Sequence, residues 1–372
     1  MSSGARQVGL LTLFGVGYFA AILAGHALSF QSLDFAPFWP AAGILAATIA
    51  LTPRHRWWQY LLVCSLLNFS VELLLYQQPV SLALVFLLAN GLEGLLVGVA
   101  LQAFARGVFQ FAKMRDVLAL AAASLVVPLL GAAIGTAGLK MSATDANAGR
   151  IFQLWWQADS IGILIIAPVH IALAARYLKL EPRPSFIGYH RVFEAVLLFI
   201  LLNITTWFAF SGYASSPVWN LIGLLYLVPA LAWAGLRFCR LGAAIASCNT
   251  VLIIIYHTVH GEGLFARVSE HPEMQAMSLQ AFVLVTMLTP LLFATTIDEQ
   301  RSAEDKLRYN LSILQSVMDN TTDLIYIKDM TGRYLLVNQA CAAVVRTTPD
   351  QIIGKRDTDF ASQDRGDEIR QR

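Results

Sequence analysis

The sequence predicts an all-α polytopic membrane bundle of about ten transmembrane helices, followed by a short, incomplete α/β segment at the C-terminus. Three observations carry this. Apolar residues (AVILMFWYC) make up 57% of the 372-residue chain and charged residues 13%, against about 45–50% and about 25% in soluble domains. A chain of that balance could not cover a soluble surface, so lipid is the solvent for most of it. The apolar residues fall into stretches of bilayer length. Finally, the character changes after Ile297, where Asp298, Glu299, Arg301, Glu304, Asp305, Lys306 and Arg308 follow in quick succession.

Roughly 17–25 apolar residues cross a bilayer as a helix. Ten such stretches occur, at about 8–28, 37–52, 57–75, 80–103, 116–138, 152–175, 192–210, 218–236, 240–260 and 278–297. The second is short and flanked by proline, and a tight basic turn separates the eighth from the ninth. Loop charges test the count independently, because lysine and arginine collect on the cytoplasmic side. With the N-terminus inside, the inner loops carry Arg6, Arg54, Arg56, Arg106, Lys113, Arg115, Arg176, Lys179, Arg183, Arg191, Arg237 and Arg240. The outer loops carry only Lys140, Arg150 and Arg267. Twelve against three places both ends in the cytoplasm. The apolar run after Arg6 imitates a secretory signal, but helix parity argues for an uncleaved first span. The net charge of +2 gives no footprint for nucleic acid. Cys64, Cys239, Cys248 and Cys341 form neither a disulfide framework nor a metal pattern.

Beyond Ile297 the chain should continue as a helix. Leu307, Leu311, Leu314 and Met318 recur at spacings of 4, 3 and 4, a seam suited to a second copy of the chain or to packing within one subunit. From Asp323 the pattern alternates like a strand, Asp329 to Gly332 reads as a turn, and Arg333 to Val337 as a second strand. Asn338 can cap a helix over Gln339 to Val345, and Pro349 opens another turn of helix that ends at Gly354. The chain thus divides into a membrane block (1–297), a linker helix (298–320) and an α/β segment (321–372).

That last order, helix, D-x-I-x-x-x-D-x-x-G, strand, Asn338, helix and x-x-I-I-G-K, resembles the N-terminal half of a PAS domain over about 311–372. The resemblance implies further strands beyond Arg372, hence a truncated domain, and this half is too short to hold a cofactor. The membrane block carries its own motifs. Pro37-Phe38-Trp39-Pro40-Ala41-Ala42-Gly43-Ile44 opens the second stretch, Trp155-Trp156-Gln157-Ala158-Asp159-Ser160-Ile161-Gly162 precedes Ala167-Pro168, and Leu236-Arg237-Phe238-Cys239-Arg240-Leu241-Gly242-Ala243-Ala244 forms the late basic turn. Together they resemble the membrane-associated sensor (MASE) domain of the first-described type. Cys239 departs from the glycine common in that family, and Ser160 from alanine or leucine. The resemblance implies a bacterial inner-membrane input to a histidine kinase, or alternatively to a diguanylate cyclase or phosphodiesterase, responding to an unidentified small-molecule or protein signal. A fainter echo pairs Pro37-x-Trp39-x-x-x-Gly43 with Pro217-x-Trp219-x-x-x-Gly223; chance explains it best.

Ionisable groups inside spans are costly and tend to face an interior or a watery cavity. Asp159, Glu93 and Asn90, with Glu72, Asn68, Trp39 and Trp156 around them, point to a polar ligand site in the outer half of the bundle. The competing reading is that they bond only one another and hold the helices together. Glu72 and His26 are expected to snorkel outward, and His170 to sit near the inner interface. His257 and His260 share a helix face, and with His271 they are weak candidates for a metal; no metal site is expected. Ten spans and intramembrane acids also permit a transporter or channel with a regulatory tail. No kinase phosphoacceptor helix, cyclase signature or Gly-x-Ser-x-Gly nucleophile is present.

Overall fold

The computed structural model describes residues 3–29, 36–105, 107–142, 147–177, 189–211 and 217–360. Arg106, Lys179 and Arg183 of the loop charges, the Trp219 side chain of the internal echo and residues 361–372 lie outside that description. Two compact units divide the chain, Met1–Glu299 and Gln300–Arg372.

Every regular element among the first unit's described residues is a helix. Its elements are α1 (Ser3–Ala27), α2 (Pro40–Leu51), α3 (Trp57–Leu74), α4 (Val80–Ala105), α5 (Met114–Val126), α6 (Pro128–Met141), α7 (Ala148–Tyr177), α8 (Tyr189–Phe210), α9 (Pro217–Arg237), α10 (Cys239–Val259), α11 (Gly263–Arg267) and the start of α12 (Pro272–Asn320). Each predicted span falls on helix, the fifth on two, α5 and α6. Seven helical segments among the described residues are long and apolar enough to cross a bilayer, while α2 and the described part of α9 form shorter apolar helices. Lipid tails are as apolar as leucine, so small residues that let backbones approach hold such a bundle together.

Three spans differ from the sequence expectation. The third, α3, is not among the seven long apolar segments; the second and the fifth differ because of proline. The second covers only Pro40–Leu51, twelve residues that rise about 18 Å, short of the roughly 30 Å hydrocarbon core. Pro40 fits the first helical turn, where no N–H is needed. Thr52, just before Pro53, is already extended at φ −102° and ψ 137°, as a residue preceding proline prefers. The non-helical segment leading into α2 is buried at Ala36, Pro37 and Phe38, and irregular backbone at membrane depth is tolerated only in such protein-covered places. The fifth span is interrupted at Val127, because Pro128 cannot donate to the preceding turn.

Helix α2 is the hub. Ten of its twelve residues are buried, and it packs between α7 and α4. Glycine makes the α2–α7 approach possible: a Cβ on Gly162 would strike the Trp39 carbonyl, and one on Gly43 the Gly162 carbonyl. On the α4 side, Leu45 and Ile49 seat over Gly94 and Gly98. A larger core of Ile161, Leu202, Phe210, Ile254, Leu279 and Met287 joins α7, α8, α10 and α12.

Helix α12 runs unbroken for 49 residues, with Pro290 inside it, so the chain does continue as a helix past Ile297. The second unit contains β1 (Tyr326–Lys328) and β2 (Tyr334–Val337), then α13 (Gln339–Val344) and α14 (Pro349–Ile352). The strands are antiparallel with Tyr326 opposite Val337 and Lys328 opposite Tyr334. Asp329 closes their turn by accepting from the Thr331 and Arg333 amides at 2.8 and 2.9 Å, and Gly332 takes φ +81°. The first strand is shorter than the alternation predicts. The Ile325 amide donates to the Asn338 side chain at 3.1 Å instead of to a strand neighbour.

Candidate functional site

The two motifs of the membrane block meet. Trp39, just outside the first turn of α2, donates its backbone N–H to the Ala158 carbonyl of α7 at 3.0 Å, and the Gly43–Gly162 contact lies one turn further along. The WPAAG opening is therefore docked on the WWxxDxxG helix beside Asp159. Helix α4 brings Glu93 to the same place, where its carboxyl rests against Gly131 of α6 and faces Asp159. Glu93 is 1% and Asp159 2% exposed. No hydrogen-bond donor reaches either carboxyl oxygen of Glu93 or Oδ2 of Asp159. Trp155, one turn before Asp159, covers Gly135 and meets Phe86 edge-on at 5.2 Å between ring centres.

A second polar string runs beside this pair. Asn90 Nδ2 donates to Asn68 Oδ1 at 3.3 Å, Asn68 Nδ2 donates to the Tyr18 hydroxyl at 2.7 Å, and the Cys64 thiol lies 3.1 Å from the same hydroxyl. These groups satisfy one another and tie α1, α3 and α4 together. Glu72 does not snorkel. It is 3% exposed and pairs with His26 Nε2 at 3.4 Å, while the His26 ring stacks on Tyr76 at 3.6 Å and touches Trp39 edge-on. The rings of His26 and Tyr76 explain the correction, since they close the outward path of Glu72, while a quarter of the His26 side chain stays exposed. Trp156 leaves the group, its Nε1 donating to the Leu125 carbonyl of α5 at 2.7 Å.

Sequence reasoning missed Tyr18, Gly131 and the Gly43–Gly162 contact. A tyrosine amid an apolar span was the available signal for the first, and the Gly131, Gly135, Gly138 spacing on α6 for the second.

The histidines do not converge. His257 is 1% exposed, pairs with Glu262 at 2.6 Å and lies against Trp207, whereas His260 Nδ1 bonds the Tyr256 carbonyl of its own helix. Among the described residues no group of three or more possible ligands could hold a metal.

On α12, Leu307, Leu311 and Leu314 are 61%, 55% and 60% exposed, and Met318 is half-buried. In the α/β segment Lys328 Nζ sits 2.7 and 2.6 Å from the Asp357 carboxyl oxygens, and the Tyr334 hydroxyl donates to the same carboxylate at 2.7 Å. The Lys328 ammonium holds Asp357 below the usual carboxylate range. Partial burial works against the Lys328 charge, but Asp357 and Tyr334 outweigh it and raise the ammonium above its ordinary value.

Comparison with known proteins finds two families along the chain. The MASE1 family matches residues 10–301 and the PAS fold residues 318–372. A probable diguanylate cyclase, DgcE of Escherichia coli (strain K12), is 21% identical over 348 residues, which cover 92% of this chain and 30% of that protein. No solved structure matches. A multi-pass helical block whose two signature motifs dock on each other, followed by a partial PAS segment, is the input region of a membrane receptor, and the chain belongs to the MASE1 family.

Proposed function

We propose that this input region serves a diguanylate cyclase output, with residues 1–297 receiving the signal, 298–320 transmitting it and 321–372 beginning the relay. The histidine kinase output that the motifs first implied takes second place, because the relative matched over 92% of this chain is a probable cyclase. The twelve-to-three loop charge bias supports an inner-membrane block with both ends in the cytoplasm. The exposed Leu307, Leu311 and Leu314 edge supports pairing of two copies along α12.

One observation carries the choice of receiving site. Glu93 and Asp159 are buried and face each other, and both oxygens of Glu93 and Oδ2 of Asp159 lack a partner although Trp155 bonds the Asp159 carboxylate, whereas the neighbouring Asn90–Asn68–Tyr18 string is hydrogen-bonded throughout. An unsatisfied buried polar group costs on the order of 1–3 kcal/mol, a cost retained where a ligand supplies the missing partner. A small molecule or a protein segment reaching the outer half of the bundle would bind here, with Trp39 and Asn90 at its edges.

The test is to join the chain to the cyclase region of the Escherichia coli relative and measure cyclic-di-GMP in cells. Asp159→Asn should change the output by roughly fivefold or more. The short helix α2 beside buried acids also fits a transporter. Solute uptake into proteoliposomes that disappears with Asp159→Asn, with no change in cyclic-di-GMP, would establish that reading instead.

A further inference from the structure

Helix α2 connects two distant places in the membrane block. Its N-terminal end is hydrogen-bonded through Trp39 to Ala158, the residue before Asp159. Its C-terminal carbonyls are held from the opposite end of the unit. Gln102 Nε2 donates to the carbonyls of Ile49 and Thr52 at 2.8 and 2.7 Å, and the Phe109 amide donates to Ala50 at 3.2 Å. Phe109 and Phe111 are fully buried and meet edge-on. The Phe111 carbonyl accepts from Arg240 Nη1, and the Nε of the same guanidinium donates to Asp298 at 2.9 Å. Asp298 is where α12 leaves the apolar block.

Two features fix Arg240 in this role. Cys239, immediately before it, has φ +59°, a left-handed conformation that a non-glycine residue holds only when its surroundings impose it. Only 14% of the Arg240 side chain and 23% of the Asp298 side chain are exposed, so solvent screens the pair weakly. Beyond this clamp, α12 has a built-in pivot at Pro290, whose ring leaves one helical carbonyl without its partner and whose own carbonyl is packed against Gly235 of α9.

We propose that α2 is the transmission rod of the membrane block and Arg240 its latch: a displacement at Trp39, caused by occupation of the Glu93–Asp159 site, shifts α2 axially and releases or tightens Asp298 at the exit of α12. This rests on the receptor reading above and adds the route. The rod is suited to the task because Leu45 and Ile49, seated over Gly94 and Gly98, couple it to α4, so that α2 and the α4 segment carrying Gln102 shift together and movement at one end reaches the other without being absorbed by loose side chains. A packed, contiguous chain with two discrete arrangements is the physical requirement for coupling over such a distance.

The experiment uses the full chain in lipid nanodiscs and reads hydrogen exchange at the amides of 297–301. Asp159→Asn perturbs the site in place of the unidentified signal, and Trp39→Phe serves as a second perturbation should the first fail to fold. In the native background exchange at 297–301 should change by roughly tenfold. In an Arg240→Gln background the same perturbations should leave it unchanged. Arg240→Lys should fall between, since an ammonium can keep Asp298 but cannot reach Phe111 with a second fork. Equal changes in both backgrounds would overturn the route while leaving the receptor reading intact. No change in either background also overturns the route, and the cyclic-di-GMP measurement then decides the receptor reading alone.

Discussion

The two units treat charge in opposite ways. In Gln300–Arg372 the polar side chains that shape the fold are saturated: Asp357 accepts from Lys328 and Tyr334, Asp329 closes its own turn, and Asn338 bonds four backbone groups. In Met1–Glu299 the two most deeply placed acids keep three carboxyl oxygens without a partner, both of Glu93 and Oδ2 of Asp159, although lipid makes an unmet polar group more costly than water does. Saturated charges in a wet region cost little to keep and specify a shape. Unsaturated ones in a dry region weaken the fold, so their retention argues for a role outside stability.

The largest effect expected from this contrast is at Asn338. Its Oδ1 accepts from the amides of Ile325 and Cys341 at 3.1 and 3.0 Å, and its Nδ2 donates to the carbonyls of Met318 and Asp323 at 3.1 and 2.8 Å. It therefore caps α13 and ties the end of α12 to the first strand, while being 1% exposed. Asn338→Ala should destabilise the second unit by about 2–4 kcal/mol, from the lost cap and the orphaned amides. Faster proteolysis and hydrogen exchange across 321–345 in the full chain would show it; native protection there would break the comparison.

The acids should move the other way. Replacing both, Glu93→Leu with Asp159→Leu, should leave thermal stability unchanged or raise it by up to about 2–3 kcal/mol, as when a buried charged group gives way to an apolar one of similar size. The same double variant should no longer respond in the cyclic-di-GMP measurement. A fall in stability comparable to that of Asn338→Ala would mean that the acids hold helices together and would return them to a structural role.

How much of this was legible depended on the range of the interaction. The spans were legible because apolar length is local, and so was the Asn338 cap, because an asparagine before an apolar turn has a specific geometric use. Cys239 is left-handed, the conformation that favours glycine, at the position where the resemblance led glycine to be expected. The meeting of Trp39 with Ala158 was not legible, because it joins residues that neither periodicity nor spacing relates. The same holds for Glu72, whose outward path looks open along α3 and is closed by His26 of α1, which stacks on the Tyr76 that follows α3. The shortness of α2 was half visible: its prolines were plain, but not that its start would lie buried inside the bundle.

The smallest expected effect is the sharpest check on the saturated side. The folded-state value of Asp357 is depressed below its ordinary 3.8 by Lys328, so its contribution is present above that value and is lost as pH falls through the depressed one. Lys328 is raised above its ordinary 10.5, so its contribution is present below that value and is lost as pH rises through the raised one. Between about pH 4 and pH 10 the pair should therefore contribute a constant amount. Half of the Asp357 side chain is exposed, and solvent screening keeps that amount under about 1 kcal/mol. Hydrogen exchange of the β1 and β2 amides, compared at neutral pH and near pH 3, should show a loss of protection on the acid side that is shallower in Lys328→Met. Asp329, held below its ordinary range by the Arg333 backbone and Thr331, also loses its contribution in acid, and the difference between the two proteins removes that share. An acid slope identical in both would mean that the Lys328–Asp357 bond, close as it is, adds nothing to the fold, and the contrast between the two units would then rest on Asn338 and the buried acids.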